Sequence, residues 1–296
     1  MKTSLFRLLP LTSLVSALLL VGLPAAQANT LAENLAAMEK QSPIDINAQD
    51  TKFQQLSPLQ FNLSSDTTLS VINNGSPNEI KTAARANVLP GAGSVTVNGD
   101  TYQLAQFHFH TPAEHTENGY KFPMEMHLVF ADASNNLLVV GRWVQGVDGP
   151  NGPTTSLDPI FNDLPQNTSQ THVFNNFDLN TLLPSNLESF RYDGSLTTPP
   201  FSEGVKWVDL VQPLLMSSAE INNFSSLFPV NPLSPHGGDA RDIQALNGRV
   251  VLTDVPGFAS AVPEPETYAM LLAGLGLIGF AARRRLVNPG FMGSAA

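Results

Sequence analysis

An alternating run that ends in histidines constrains this chain most. Val95-Thr-Val-Asn-Gly-Asp-Thr-Tyr-Gln-Leu104 sets apolar residues on either side of Asn98-Gly99, a dipeptide that favours a tight hairpin turn. The second arm runs on into Gln106-Phe-His-Phe-His110, and another strand-like run, Met124-Glu-Met-His-Leu-Val-Phe130, lies shortly beyond. Residues two apart on a strand face the same side. His108 and His110 therefore share a face, while Phe107 and Phe109 turn to the opposite, apolar one. His127 follows His110 by 17 residues, close enough for its run to be an antiparallel partner. Three neutral imidazoles that converge with a fourth position open describe a catalytic zinc site. Gln106 and Glu125 each precede a histidine by two, so each shares its face and can accept an imidazole N–H. Taken singly, each of these residues could equally be ordinary exposed strand.

The chain contains no cysteine, so thiol catalysis, thiolate metal sites and disulfides are excluded and a metal must be held by His, Asp or Glu. Abundant Pro and Gly, 23 and 21 residues, favour a loop-rich β protein over a helix bundle. Strands are expected around Leu59–Leu63, Leu69–Ile72, Glu125–Phe130, Leu137–Val144 and Val205–Val211, with turns at Asn73-Asn74-Gly75 and Ser134-Asn135-Asn136. Helical segments are expected at Asn29–Lys40, Leu157–Leu164, Leu179–Leu183 and Ser217–Ser226, and a loop at Gly149–Pro153. Many short strands with few helices indicate one mainly β domain.

Both ends read as addresses rather than structure. Lys2 and Arg7, an apolar core from Leu8 to Leu23 and the Ala26-Gln27-Ala28 site mark residues 1–28 as a secretory signal peptide cut before Asn29. At the far end Val262-Pro-Glu-Pro-Glu266 precedes an apolar run from Tyr268 to Ala282 and then Arg283-Arg284-Arg285. That run is shorter than the roughly 17–25 residues of a free-standing membrane span. Between the ends, residues 29–260 carry 10 Lys/Arg against 23 Asp/Glu, a charge that excludes nucleic-acid binding by phosphate neutralisation.

Residues 261–285 resemble the PEP-CTERM sorting signal of bacterial envelope proteins, with Leu286–Ala296 as an extension past its usual end. The resemblance implies export by the Sec route, recognition by an exosortase, and a final place in the periplasm, outer envelope or extracellular surface. A C-terminal anchor that is retained is the alternative.

Gln41-Ser-Pro-Ile44, Gln106-Phe-His-Phe-His110, Ala113-Glu-His115, Glu125-Met-His-Leu-Val129 and Gly194-Ser-Leu-Thr-Thr-Pro-Pro200 together resemble the α-class carbonic anhydrases. Agreement runs over roughly residues 41–251 and includes Val205-Lys-Trp207 and Leu246-Asn-Gly-Arg249. The resemblance implies a large, mostly antiparallel central sheet with short peripheral helices, a Zn2+ cofactor, and reversible hydration of carbon dioxide to bicarbonate. It makes His108, His110 and His127 the zinc ligands, with Gln106 and Glu125 as their outer partners. Thr197 becomes the acceptor for hydroxide at the metal, and Glu114 the acceptor for the Thr197 hydroxyl. Thr198 lines the substrate mouth, and Val129, Val139, Leu196 and Trp207 form the apolar pocket. His115 becomes a structural residue near Tyr192, and the backbone carbonyl of Asp239 serves His110.

The pattern breaks at one functional position. Many members place a proton-shuttling histidine directly after an Asn-Asn-Gly turn, where this chain has Ser76. Serine cannot change charge near neutral pH as histidine does. No histidine precedes His108 at all, so the expectation is an enzyme without an N-terminal histidine shuttle. The aromatic residues usual before Gln-Ser-Pro are also missing, and Phe201 stands where bacterial relatives often carry a cysteine. The alternatives from other classes are a catalytically silent binding module of the same fold and a zinc domain whose useful chemistry is ester hydrolysis.

Overall fold

The computed structural model describes residues 40–74, 84–149, 152–228 and 238–259. Both terminal segments, the expected helix at Asn29–Lys40 apart from its last residue, Gly75 and Ser76 lie outside the described residues, as does part of the Gly149–Pro153 loop. In chain order the strands are β1 (Asp45–Ile46), β2 (Thr51–Phe53), β3 (Gln60–Leu63), β4 (Thr67–Ile72), β5 (Arg85–Val88), β6 (Gly93–Val97), β7 (Asp100–His110), β8 (Thr116–Glu117), β9 (Met124–Ala131), β10 (Leu137–Val147), β11 (Thr171–Phe177), β12 (Ser189–Ser195), β13 (Glu203–Ser217) and β14 (Val251–Thr253).

Twelve of these strands form one sheet along the path β11-β4-β5-β7-β9-β10-β13-β12-β14-β2, with β6 pairing β7 and β3 beyond it. Pairing is antiparallel except for β10 with β13 and β14 with β2. β1 and β8 pair separately. The expected mainly β domain with short helices is therefore what the chain forms. Helical turns occur at Asp158–Phe161 and, as a 3-10 turn, at Leu179–Leu182; a two-turn helix covers Ser218–Ser225, where the Ser217 side chain caps the start by accepting from Ala219 N–H.

The β6–β7 hairpin turns where the dipeptide predicts, with Asn98 and Gly99 both in the left-handed region at φ 54° and 87°. That is the geometry a two-residue turn needs to match strand twist. Strand β7 then contains an irregularity that alternation alone does not reveal. Leu104 pairs with Phe130 and Gln106 with Val129, so Ala105 is an extra residue. Without this bulge, strict alternation would put Gln106, His108 and His110 on the same face as the buried Tyr102 and Leu104. The extra residue exchanges the faces. Phe107 and Phe109 continue the main core, where Phe109 packs edge-on to Phe161 at 4.9 Å. The histidines are delivered to the other side, where a second core of Ile44, Ile46, Val139, Trp143, Tyr192, Trp207 and Val251 lies.

Strands β2, β5, β8, β11, β12 and β14 are not among the expected strands. Ser189–Ser195 reads Ser-Phe-Arg-Tyr-Asp-Gly-Ser, broken by charge and glycine, and it holds as a strand because β13 pairs along its whole length. Tertiary pairing overrides local propensity there.

Candidate metal centre

Strand register, rather than any single motif, assembles the site. Reading across the sheet from β5 through β7, β9 and β10 to β13, one row is Arg85, His108, His127, Gly141 and Asp209. The adjacent row is Asn87, Gln106, Val129, Val139 and Trp207. Directly opposed residues share a face, so histidines, amides and pocket residues all turn one way. His110, across from Glu125, belongs to the next row along.

The three imidazoles sit ring against ring: His108 to His110 at 5.0 Å between centroids, His108 to His127 at 5.2 Å, His110 to His127 at 4.9 Å. One nitrogen from each lies within 4.8 Å of the other two. Each outward nitrogen faces an acceptor, and two of the three are hydrogen-bonded to it. His108 Nδ1 donates to Gln106 Oε1 at 2.8 Å, and His127 Nε2 donates to Glu125 Oε1 at 2.8 Å. His110 Nδ1 stands 3.2 Å from Asp239 Oδ2, close but not aligned for a hydrogen bond. This leaves Nε2 of His108, Nε2 of His110 and Nδ1 of His127 as the inward lone pairs. Buried His110 Nε2 has no hydrogen-bond partner.

The contact at Asp239 corrects one expectation. It is the carboxylate, not the backbone carbonyl, that approaches His110. Asp239 Oδ1 accepts from Thr111 N–H at 2.9 Å while Asp239 N–H donates to Thr111 O at 3.0 Å, which fixes the remaining oxygen beside the ring. A carboxylate is the stronger acceptor for an imidazole N–H.

Electrostatics differ sharply among the three. Burial, with the other two imidazoles and Arg85, pushes His108 well below the usual histidine value. Burial also lowers His127, although Glu125 opposes it. At His110 burial is overcome by Glu114 and Asp239, and the pKa rises to about 9. A cation placed among the inward nitrogens would take the role that a proton on His110 otherwise fills.

Glu125 is the most heavily used acceptor. Its Oε2 takes the backbone N–H of Glu114 and of His115, both at 2.8 Å, and its Oε1 takes His115 Nδ1 at 2.8 Å in addition to His127. Burial alone would raise its pKa, yet His115 and His127 hold it well below the carboxylate range. His115 passes the chain on, with Nε2 2.6 Å from Tyr192 Oη, and Tyr192 Oη lies 2.8 Å from Ser42 Oγ. His115, Glu125 and His127 are also mutually close enough to suggest a metal cage. Their facing atoms already satisfy one another, so only the His108–His110–His127 set offers free lone pairs.

Glu114 departs from expectation in one contact. Its Oε1 accepts from Arg241 N–H at 2.9 Å, but Oε2 lies 3.5 Å from His110 Nε2 and has no hydrogen-bond partner. No hydrogen bond joins it to Thr197. The physical reason is charge: the oxygen turns to the imidazoles, His110 first and then His127 Nδ1 at 3.9 Å. Thr197 itself is buried, on the loop after β12 where Phe201 N–H donates to Thr198 O at 2.9 Å. Val139 and Trp207 are buried in the second core, Val129 stands beside Val139 across the sheet, and Leu196 packs against the same core. Trp207 Nε1 donates to Ser195 O at 2.9 Å and its ring lies 4.9 Å from that of His127.

Sequence reasoning missed Asp209. This carboxylate is buried on the histidine face, 4.0 Å from His115 Nδ1, and neither oxygen has a hydrogen-bond partner. Gly141 makes room for it: a Cβ there would stand 2.1 Å from Asp209 Oδ1. An alternating strand gives no reason to expect an acid inside, so only the register could have found it. Burial raises Asp209 to about 7, while His115, lowered by burial but raised by Asp209 and Glu125, reaches about 9. A histidine raised in the folded state stabilises it below its unfolded pKa of 6.5, and that stabilisation is lost as pH rises through about 9. The melting temperature of the metal-free protein is therefore expected to fall between those values. The fall should be smaller in Asp209→Asn, as differential scanning calorimetry across pH would read.

Three comparisons bear on this geometry. The family model of the eukaryotic-type carbonic anhydrases matches residues 28–255, and the PEP-CTERM protein-sorting motif matches residues 261–285. The carbonic anhydrase of Klebsiella pneumoniae is 38% identical over 214 residues, covering 72% of this chain and 79% of its own. That of a Nostoc species is 36% identical over 217 residues, covering 72% and 75%. Among solved structures, the α-carbonic anhydrase of Thermovibrio ammonificans in complex with the inhibitor sulfanilamide superposes with a TM-score of 0.62 at 34% identity, over 72% of this chain and 87% of that one. The Photobacterium profundum α-carbonic anhydrase gives 0.61 at 31%, over 77% and 95%.

Proposed function

The chain belongs to the eukaryotic-type carbonic anhydrase family, and from that premise we propose that His108, His110 and His127 hold a zinc ion at which carbon dioxide is reversibly hydrated to bicarbonate and a proton. The observation that carries the reading is the buried convergence of three inward lone pairs, each on a ring whose outer nitrogen faces its own acceptor. Zinc held by three imidazoles acidifies a water enough to make hydroxide available near neutral pH, and this family is the standard example of that chemistry.

The protein's own residues account for the rest. Gln106, Glu125 and Asp239 hold the imidazole N–H groups outward and fix the orientation of the rings, so that each inward nitrogen presents its lone pair to the site. Thr197 is buried on the loop after β12, and its hydroxyl would accept a hydrogen bond from the nucleophile and so orient it towards the substrate carbon. Glu114 becomes the acceptor for the Thr197 hydroxyl once the inward lone pairs of His110 and His127 are committed to a cation. Val129, Val139, Leu196 and Trp207 offer a non-polar gas an apolar wall with no donor to grip it, and Thr198 borders the mouth.

Zinc analysis together with stopped-flow carbon dioxide hydration tests this, on wild type and Thr197→Ala. Stoichiometric zinc in both, with the rate of Thr197→Ala about a hundredfold lower, is the expected result. Zinc without hydration in both would instead mark a silent binding module. The proton's exit is the second part of the proposal. With Ser76 in place of a histidine after Asn73-Asn74-Gly75, turnover should rise steeply with added imidazole buffer, and Ser76→His should remove that dependence. A buffer-independent rate equal to that of Ser76→His would refute it.

The matched sorting motif supports a reading of export and envelope sorting as well. Residues 1–28 would direct Sec export, and an exosortase would recognise residues 261–285. Among the described residues no helix is long and apolar enough to cross a membrane.

A further inference from the structure

Arg85 opens the row that runs through His108 and His127, and no part of the mechanism above uses it. Strand β5 pairs it directly with His108, which puts its side chain on the histidine face. Directly opposed residues have Cβ atoms about 4.5–5.5 Å apart, well within the reach of an arginine. Its Nε is buried without a hydrogen-bond partner, and among the described residues it forms no ion pair. An arginine left unpaired is unexpected in a domain where acids outnumber bases more than twofold. Its charge is felt at the centre, since it helps lower the pKa of His108. Beside it, Gln106 commits its carbonyl oxygen to His108 Nδ1, which leaves the amide NH2 as a donor on the same face.

We propose that Arg85 and the Gln106 amide form a subsite for a small planar monoanion beside the open position of the histidine triad, and that bicarbonate is its ligand. The proposal rests on the zinc reading and adds to it an anchor for the charged partner of the reaction. Carbon dioxide is neutral and has nothing for a guanidinium to hold, whereas bicarbonate presents paired oxygens to the arginine fork. The subsite therefore acts on the anion: it retains bicarbonate after hydration and collects it for the reverse reaction.

Formate, a planar monoanion with the same paired oxygens, is the probe. Wild type, Arg85→Ala and Arg85→Lys are each loaded with zinc, assayed for metal content by atomic emission, and titrated with formate in a calorimeter. One zinc per chain in all three is expected. The formate Kd should rise about tenfold in Arg85→Ala, the scale of a lost charge-assisted hydrogen bond. Arg85→Lys should recover only part of this, because an ammonium keeps the charge and loses the fork. Equal Kd values for wild type and Arg85→Ala, with zinc full in both, would overturn the subsite and leave the zinc reading standing. A wild type that takes up no zinc would overturn the zinc reading, and the subsite with it.

Discussion

His110→Ala should lose stoichiometric zinc and with it at least about a thousandfold of carbon dioxide hydration, down to the uncatalysed background. His110 is the fully buried member of the triad, and two carboxylates approach it: Glu114 Oε2 at 3.5 Å and Asp239 Oδ2 at 3.2 Å. Removing the ring leaves both acids buried together with no cation between them. Uncompensated charges of this kind cost about 3–5 kcal/mol, so stability should fall as well as metal binding. His110→Gln separates the two effects, because its amide can still donate to a carboxylate while making a poor zinc ligand. Metal content by atomic emission and a calorimetric melt on both variants read the outcome. Full zinc occupancy in His110→Ala would remove this residue from the centre.

Glu125→Gln should be the most damaging substitution that leaves shape unchanged. Four donors point at the carboxylate: two backbone N–H groups at Oε2 and two imidazole N–H groups at Oε1. An amide has one oxygen, so its NH2 must face one of those donor pairs. The result is a buried donor-to-donor conflict and the loss of the negative charge between His115 and His127. A cost of about 3–5 kcal/mol follows from breaking a buried charged network. For a domain of this size that is a fall of roughly 10 °C in melting temperature. Zinc affinity should drop about 10–100-fold, because the carboxylate that fixes the His127 tautomer is replaced by a neutral amide. A melt and a competitive chelator titration check both parts. Wild-type values in the two measurements would show that the four short contacts carry no load.

How much of this could be read in advance divides along a physical line. The spacing of Gln106, His108 and His110 on one strand, and of Glu125 and His127 on another, is a local property, and strand geometry converts it directly into shared faces. The two short hydrogen bonds that His108 donates to Gln106 and His127 donates to Glu125 follow from those offsets alone. The Asn98-Gly99 turn is equally local, since few other dipeptides adopt two left-handed conformations in succession.

Other parts depend on atoms that only folding brings together. Alternation in β7 does not disclose the bulge at Ala105, yet without it the histidines would enter the wrong core. The contact between His110 and the Asp239 side chain joins residues 129 positions apart, and a carboxylate prevails over a carbonyl there because Thr111 holds it in place. Asp209 and Arg85 look like surface charges until register sets them in one row with His108, His127 and Gly141. The sequence by itself determined which side chains share a face within an unbroken stretch of strand, such as Gln106–His110 or Glu125–His127, because side-chain direction repeats every two residues. Which strand lies beside which, and hence which charges meet around the three histidines, was decided by the tertiary structure, because pairing register is settled by burial of the whole sheet at once.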